Sequence, residues 1–216
     1  MTGDPPAQQH LAKLLADHPK LAPCRQQLAD ACDLLISAYQ QGHKLLLCGN
    51  GGSAADCEHI AGELLKGCER RRPLPADLRA KLAAQGPDGE ALPARLQQAL
   101  PTISLTGHLG LATAFANDVD PEMVFAQLVQ ALGRPGDGLL AITTSGDSEN
   151  VLLAARTARA VRMAVIGLTG DRGGALAALC DVCIAAPGHG TAEIQESHQA
   201  IYHHLCREIE THFFHD

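Results

Sequence analysis

Lys44-Leu45-Leu46-Leu47-Cys48-Gly49-Asn50-Gly51-Gly52-Ser53 is the stretch on which the fold turns. Residues 44–48 form a short apolar run that ends in a glycine-rich turn, and from 54 to about 67 the pattern becomes helical. A strand that is apolar at every position needs cover on both faces, which is the condition of a parallel sheet. Strand, glycine turn and helix therefore read as the opening unit of an α/β chain.

The same grammar returns downstream. Residues 101–105 predict a second strand. Residues 138–142 predict a third, followed by Thr143-Thr144-Ser145-Gly146-Asp147-Ser148 and a helix to about Val161. Residues 163–168 predict a fourth, followed by Thr169-Gly170-Asp171-Arg172-Gly173-Gly174 and a short helix. Residues 181–186 predict a fifth, and a final helix spans 191–214. Upstream, Leu11, Leu14 and Leu15, then Leu28, Cys32, Leu35 and Ile36, recur at helical spacing within 7–42. Pro19 and Pro23 divide that stretch into a short and a long helix, and Gly42 stops it. The expected fold is a doubly wound five-stranded parallel sheet flanked by helices, Rossmann-like or flavodoxin-like, in one domain over 1–216. The N-terminal helices take 1–42. Residues 69–100, rich in proline and charge, read as an insertion with short helices near 76–84 and 93–99.

Composition excludes several functions. Aromatics are 3% and Trp is absent, which argues against stacking platforms for nucleic-acid bases. The net charge of -7 argues against a phosphate-backbone binder and hence against nucleic acid. The basic run Arg70-Arg71-Arg72 reads as a solvated loop. No apolar run approaches the ~20 residues of a membrane span, and Met1 to Pro6 has no signal-peptide pattern. The eight scattered cysteines read as buried reduced thiols, which suits the cytoplasm. Cys180 and Cys183 form a CxxC pair, but among Val and Ile they read as strand residues.

Two loops could hold an anion. Gly49-Asn50-Gly51-Gly52-Ser53 opens a helix whose free N–H groups and dipole favour phosphate; the alternative is a tight turn with Ser53 as N-cap. Gly49, Gly51 and Ala54 fit a loose dinucleotide fingerprint. Glu69, at the right distance for its acidic partner, ends no strand, and the Lys of a P-loop is missing. The Thr143–Ser148 turn carries four hydroxyls, more than an N-cap requires, and reads as a phosphate cradle. Asp147 should then point away from the phosphate.

A third set of residues suits metal and acid–base work. His59 and Glu63 stand four apart on one helix face. Gln195 and His203 lie about 80° apart around the final helix. Two His, one Glu and one Gln can fill a tetrahedral zinc shell.

Together these residues resemble a known family, the bacterial phosphoheptose isomerases, built on the sugar isomerase (SIS) domain. Cys48-Gly49-Asn50-Gly51-Gly52-Ser53 with His59 and Glu63 is similar to their first motif. Thr144-Ser145-Gly146-Asp147-Ser148 is similar to their TSGNS loop, with Asp for Asn. Leu168-Thr169-Gly170 with Gly173-Gly174, and Ile194-Gln195-Glu196 with His203, resemble the remaining motifs. The resemblance implies interconversion of sedoheptulose 7-phosphate and D-glycero-D-manno-heptose 7-phosphate through an enediol, supplying heptose for lipopolysaccharide core and other surface sugars. It implies a homotetramer with sites between subunits. It also implies one zinc per subunit, held by His59, Glu63, Gln195 and His203. Glu63 would be the base and His203 the acid. Phosphate contacts would come from Ser53, Thr143, Ser145 and Ser148, beside Gly51, Gly52 and Thr144, while Asn50, Asn117, Asp118 and Gln195 would lie near the sugar.

The chief rival is the non-catalytic branch that binds a replication initiator (the DnaA-initiator-associating type). It keeps the glycine loop but lacks the Glu and final His, and this chain has Glu63 and His203. A sugar-phosphate sensor is the next alternative, and a nicotinamide-dependent dehydrogenase the most remote. The chain departs from the family in its longer 69–100 segment. It also departs at Lys66-Gly67, where an Arg is usual, and this leaves a basic phosphate contact unassigned.

Overall fold

The computed structural model describes residues 6–214. Most of the N-terminal stretch read for a signal peptide, and His215, lie outside the described residues. The five strands are β1 (Leu45–Gly49), β2 (Thr102–Ser104), β3 (Gly138–Thr143), β4 (Ala164–Gly170) and β5 (Val182–Ala186). They pair in parallel in the order β2-β1-β3-β4-β5. The order reverses direction between β1 and β3, and at such a switch point the two strand-to-helix loops diverge and leave a crevice.

The helices are α1 (Pro6–Asp17), α2 (Arg25–Gln40), α3 (Gly52–Leu65), α4 (Ala76–Ala83), α5 (Pro87–Arg95), α6 (Leu109–Asp118), α7 (Val124–Leu132), α8 (Glu149–Ala160) and α9 (Thr191–Phe213). Alternation along each strand sorts its side chains between two cores. Leu45 and Leu47 of β1 face the layer made by α1, α2, α3 and α9, together with Leu140, Ile142, Ile166 and Leu168. Leu46 and Cys48 face the layer of α7 and α8, together with Leu139, Ala141 and Val165. Every residue of β1 and β3 is buried, as an all-apolar strand requires.

Four differences from the sequence reading have physical causes. The segment 106–137, to which no element is assigned from sequence, holds α6 and α7. The second insertion helix runs Pro87–Arg95 rather than 93–99. Gly86 at φ 95° turns the chain into Pro87, whose fixed φ suits a first helical turn. Cys183 lies in β5, while Cys180 precedes it, and both are half-buried. The fourth difference concerns the basic run. Arg71 is exposed, but Arg72 is 0% exposed and ion-paired with Glu210, so the run is not simply a solvated loop. Among the described residues, no helix is long and apolar enough to cross a membrane.

Candidate active site

Both candidate loops leave the sheet at the β1/β3 switch point. Gly51 caps α3 at φ 56°, in the left-handed region that favours glycine. A Cβ on Gly49 would lie 2.9 Å from Ser53 Cβ and 3.0 Å from the Ile142 carbonyl, so the first turn of α3 can close against β3 only over glycine. Ser53 is buried inside that first turn and is not the cap, which removes the capping alternative for its hydroxyl.

The hydroxyls after β3 form one cluster. Thr143 Oγ1 lies 2.8 Å from Ser148 Oγ and 3.3 Å from Ser145 Oγ. Ser145 Oγ accepts from the Asp147 amide at 3.1 Å. Ser148 is the N-cap residue of α8, yet its hydroxyl makes no cap bond and stays with Thr143. The Asp147 carboxylate is turned away to the next loop, where it accepts from the Ala175 amide at 2.8 Å. Asn50 and Asn150 exchange amide hydrogen bonds of 2.8 and 2.9 Å, which ties the two loops together. Thr144 and Ser145 open onto a cavity of about 440 Å³ that Arg172 also lines.

The second half of the site lies along two neighbouring helices. Gly52 of α3 meets Gln195 of α9, His59 meets Tyr202 and His203, and the end of α3 meets Glu210 through Arg72. The helices thus run side by side in the same direction. His59 Nε2 lies 3.5 Å from Glu63 Oε1. The His203 ring stands edge-on to the His59 ring, with centroids 4.9 Å apart. Tyr202 Oη lies 3.0 Å from His59 Nδ1 and leaves Nε2 for the Glu63 side. Burial first, then the neighbouring His59, pushes the His203 pKa down, favouring a neutral ring. Burial also pushes the carboxyl of Asp56 up, and one of its oxygens has no hydrogen-bond partner among the described residues. Burial and the nearby Asp56 charge raise the Tyr202 hydroxyl.

The structure therefore brings His59, Glu63 and His203 together. Gln195 sits against Gly52 instead, eight residues before His203 and so about 12 Å from it along the helix. Among the described residues, no group of three or more His, Cys, Asp or Glu converges closely enough to hold a metal ion. Asn117 donates to its neighbour Asp118 at 2.8 Å, and both are exposed at the end of α6. No hydrogen bond among the described residues joins them to the hydroxyl cluster or the His59 group. Sequence reasoning missed Asn150, Arg172 and Tyr202. Tyr202 was findable from its place next to His203; the other two depend on how loops fold back.

The chain matches the SIS domain over residues 20–88 and 92–170. It is 39% identical over 208 residues to the phosphoheptose isomerase of Burkholderia pseudomallei (strain 1710b), covering 96% of this chain and 91% of that one. The chain belongs to the phosphoheptose isomerase family. The Roseiflexus sp. (strain RS-1) member is 41% identical over 180 residues, covering 83% and 79% of the two chains. The structure of a phosphoheptose isomerase from Francisella tularensis superposes with a TM-score of 0.72 at 34% identity, over 95% of this chain and 93% of that one. The corresponding figures for phosphoheptose isomerase GmhA from Neisseria gonorrhoeae are 0.70, 33%, 95% and 91%. As a member of the phosphoheptose isomerase family, the protein is a sugar-phosphate isomerase with an α/β SIS fold.

Proposed function

We propose that the protein interconverts sedoheptulose 7-phosphate and D-glycero-D-manno-heptose 7-phosphate. The observation that carries this reading is the grouping of Glu63, His59 and His203 on adjacent helices, in a chain whose hydroxyl cluster and glycine loop share the sheet's switch point. The phosphate docks on the amides of the first turn of α3 and on the hydroxyls of Ser53, Thr143, Ser145 and Ser148, flanked by Gly51, Gly52 and Thr144. Arg172 supplies the basic contact. Asn50, Asn117, Asp118 and Gln195 meet the sugar hydroxyls.

Ketose and aldose differ by one proton moved between adjacent carbons, and one base with one acid suffices. Glu63 takes a proton from the hydroxymethyl carbon while His203 gives one to the carbonyl oxygen, which makes the enediol. Glu63 then returns its proton to the former carbonyl carbon. The other enediol hydroxyl gives its proton back to His203, and the aldose leaves.

We propose one zinc per subunit, for which His59, Glu63 and His203 offer donors on adjacent helices, while Gln195, which lies against Gly52, would complete the set only by swinging towards them. Their chemistry suits it: two imidazoles and a carboxylate, with His59 Nε2 and Glu63 Oε1 at ligand-to-ligand spacing and Tyr202 orienting His59 from behind. When bound, zinc polarises the carbonyl oxygen as a Lewis acid. The working form in this reading is a cytoplasmic homotetramer that supplies heptose for lipopolysaccharide core. Free cysteines support a reducing compartment. Assembly is supported by α6, which buries no residue in the single chain and leaves Leu109 74% exposed. Asn117 and Asp118 at its end would then complete a neighbour's pocket.

The test follows the anomeric protons of sedoheptulose 7-phosphate by NMR with zinc-loaded protein. New aldoheptose signals that vanish in folded Glu63→Gln support the reading. Retained activity in that variant removes Glu63 as the base. Unchanged ketose with native protein turns the assignment to another sugar phosphate, then to the initiator-binding or sensor role.

A further inference from the structure

Arg72 lies in a segment that is otherwise largely exposed, yet it is among the most buried side chains of the molecule. Its Nε donates to Glu210 Oε1 at 2.8 Å, Nη1 to the Leu64 carbonyl at 2.7 Å and Nη2 to the Glu63 carbonyl at 3.1 Å. The guanidinium also stacks 4.7 Å from the Phe214 ring centroid. Glu210, 1% exposed, accepts in turn from the amides of Cys68, Glu69 and Arg70 at 2.8, 2.8 and 3.1 Å.

The last four carbonyls of a helix have no partner within it, and the end frays unless something outside holds it. Here one guanidinium holds two of them, and one of the two belongs to Glu63. The anchor of that guanidinium, Glu210, stands seven residues, two turns, beyond His203 on α9. A rigid fork thus ties the end of α3 to α9 and fixes the Glu63 backbone relative to the helix that carries His203. The geometry points to Arg72 as a positioning residue for the isomerase reaction: it holds Glu63 in register with His203 without touching the substrate. This inference rests on the reading of Glu63 as the base.

Arg72→Lys separates positioning from stability. A lysine can reach Glu210 but cannot grip both carbonyls as the planar fork does. Each variant is assayed well below its melting temperature, beside amide hydrogen exchange in the last turn of α3. The expected result for Arg72→Lys is a folded protein with faster exchange at residues 62–66. Its kcat falls about 10- to 100-fold, the range for a displacement near 1 Å. KM stays within about twofold, since the phosphate contacts lie elsewhere. Arg72→Met shows the same kinetic split with a larger fall in melting temperature. Wild-type kcat in folded Arg72→Lys overturns the positioning role and leaves Arg72 a structural residue. Retained activity in Glu63→Gln removes the base reading, and the kinetic part of the inference falls with it. The tie is then judged by exchange alone, and unchanged protection in Arg72→Lys overturns it.

Discussion

Gly52→Ala should separate folding from catalysis in this protein. Gly52 is the first residue of α3 and its φ lies outside the left-handed region, so the backbone accepts alanine. A helix gains about 0.5–1 kcal/mol when glycine becomes alanine at a compatible position. The new Cβ, however, would stand 2.3 Å from Gln195 Nε2 and 2.9 Å from its Cδ, where ordinary contact begins at 3.4 Å. The end of a flexible side chain yields cheaply, so the Gln195 amide retreats by about 1 Å and the fold survives. A misplacement of that size costs about 100-fold in rate, or about 2.7 kcal/mol of transition-state stabilisation. The expected outcome is a melting temperature equal to or above that of the native protein, with kcat/KM for sedoheptulose 7-phosphate down about 10- to 100-fold. Differential scanning calorimetry and the NMR isomerase assay on the same preparation read both. Native activity in a variant shown to contain alanine would refute a site role for Gln195. A large loss of stability would refute the reading of the contact as a yielding one.

Glu208 is 7% exposed; burial first, and the charge of Asp33 on α2 second, push its carboxyl up to about 7. Its folded pKa then exceeds the unfolded value, the folded state binds the extra proton, and stability falls as pH rises from about 4.5 to about 7. Glu208→Gln should flatten that slope and stabilise the protein at pH 8 by up to about 3 kcal/mol, read by urea unfolding at pH 5 and pH 8; an unchanged slope would dismiss Glu208 as its source. Chelation should lower the melting temperature, because zinc at a hundredfold excess over its Kd adds about 2.7 kcal/mol. An identical melting curve after metal removal verified by elemental analysis would count against the metal.

The fold was legible because its strands are apolar throughout. Leu45–Gly49 and Gly138–Thr143 are buried at every position, and such runs followed by glycine turns leave few alternatives to a covered parallel sheet. Helix α7 was legible from Val124, Phe125, Leu128, Val129 and Leu132 at helical spacing, but α6 was not. On α6 only Ala112, Phe115 and Ala116 pack partly buried against the core, a narrow stripe that does not stand out in a helix apolar nearly all round. Within the site, His59 and Glu63 could be paired from their spacing alone, since four residues on a helix is a fixed geometry. The Asn50–Asn150 bridge spans a hundred residues of sequence, and no local pattern announces it.

Sequence by itself determined the strand-turn-helix order, the two hydroxyl and glycine loops, and the helix faces that carry His59, Glu63 and His203. Each of these depends on periodicity or on the backbone freedom of particular residues, which act over a few positions. Tertiary structure alone decided which distant groups meet. It buried Arg72 against Glu210 where the local charge run argued for solvent, because α3 and α9 end side by side and the carbonyls at the end of α3 and the amides of the loop after it needed partners. It also set Gln195 beside Gly52 and His203 beside His59, since the relative register of two helices follows from the core between them.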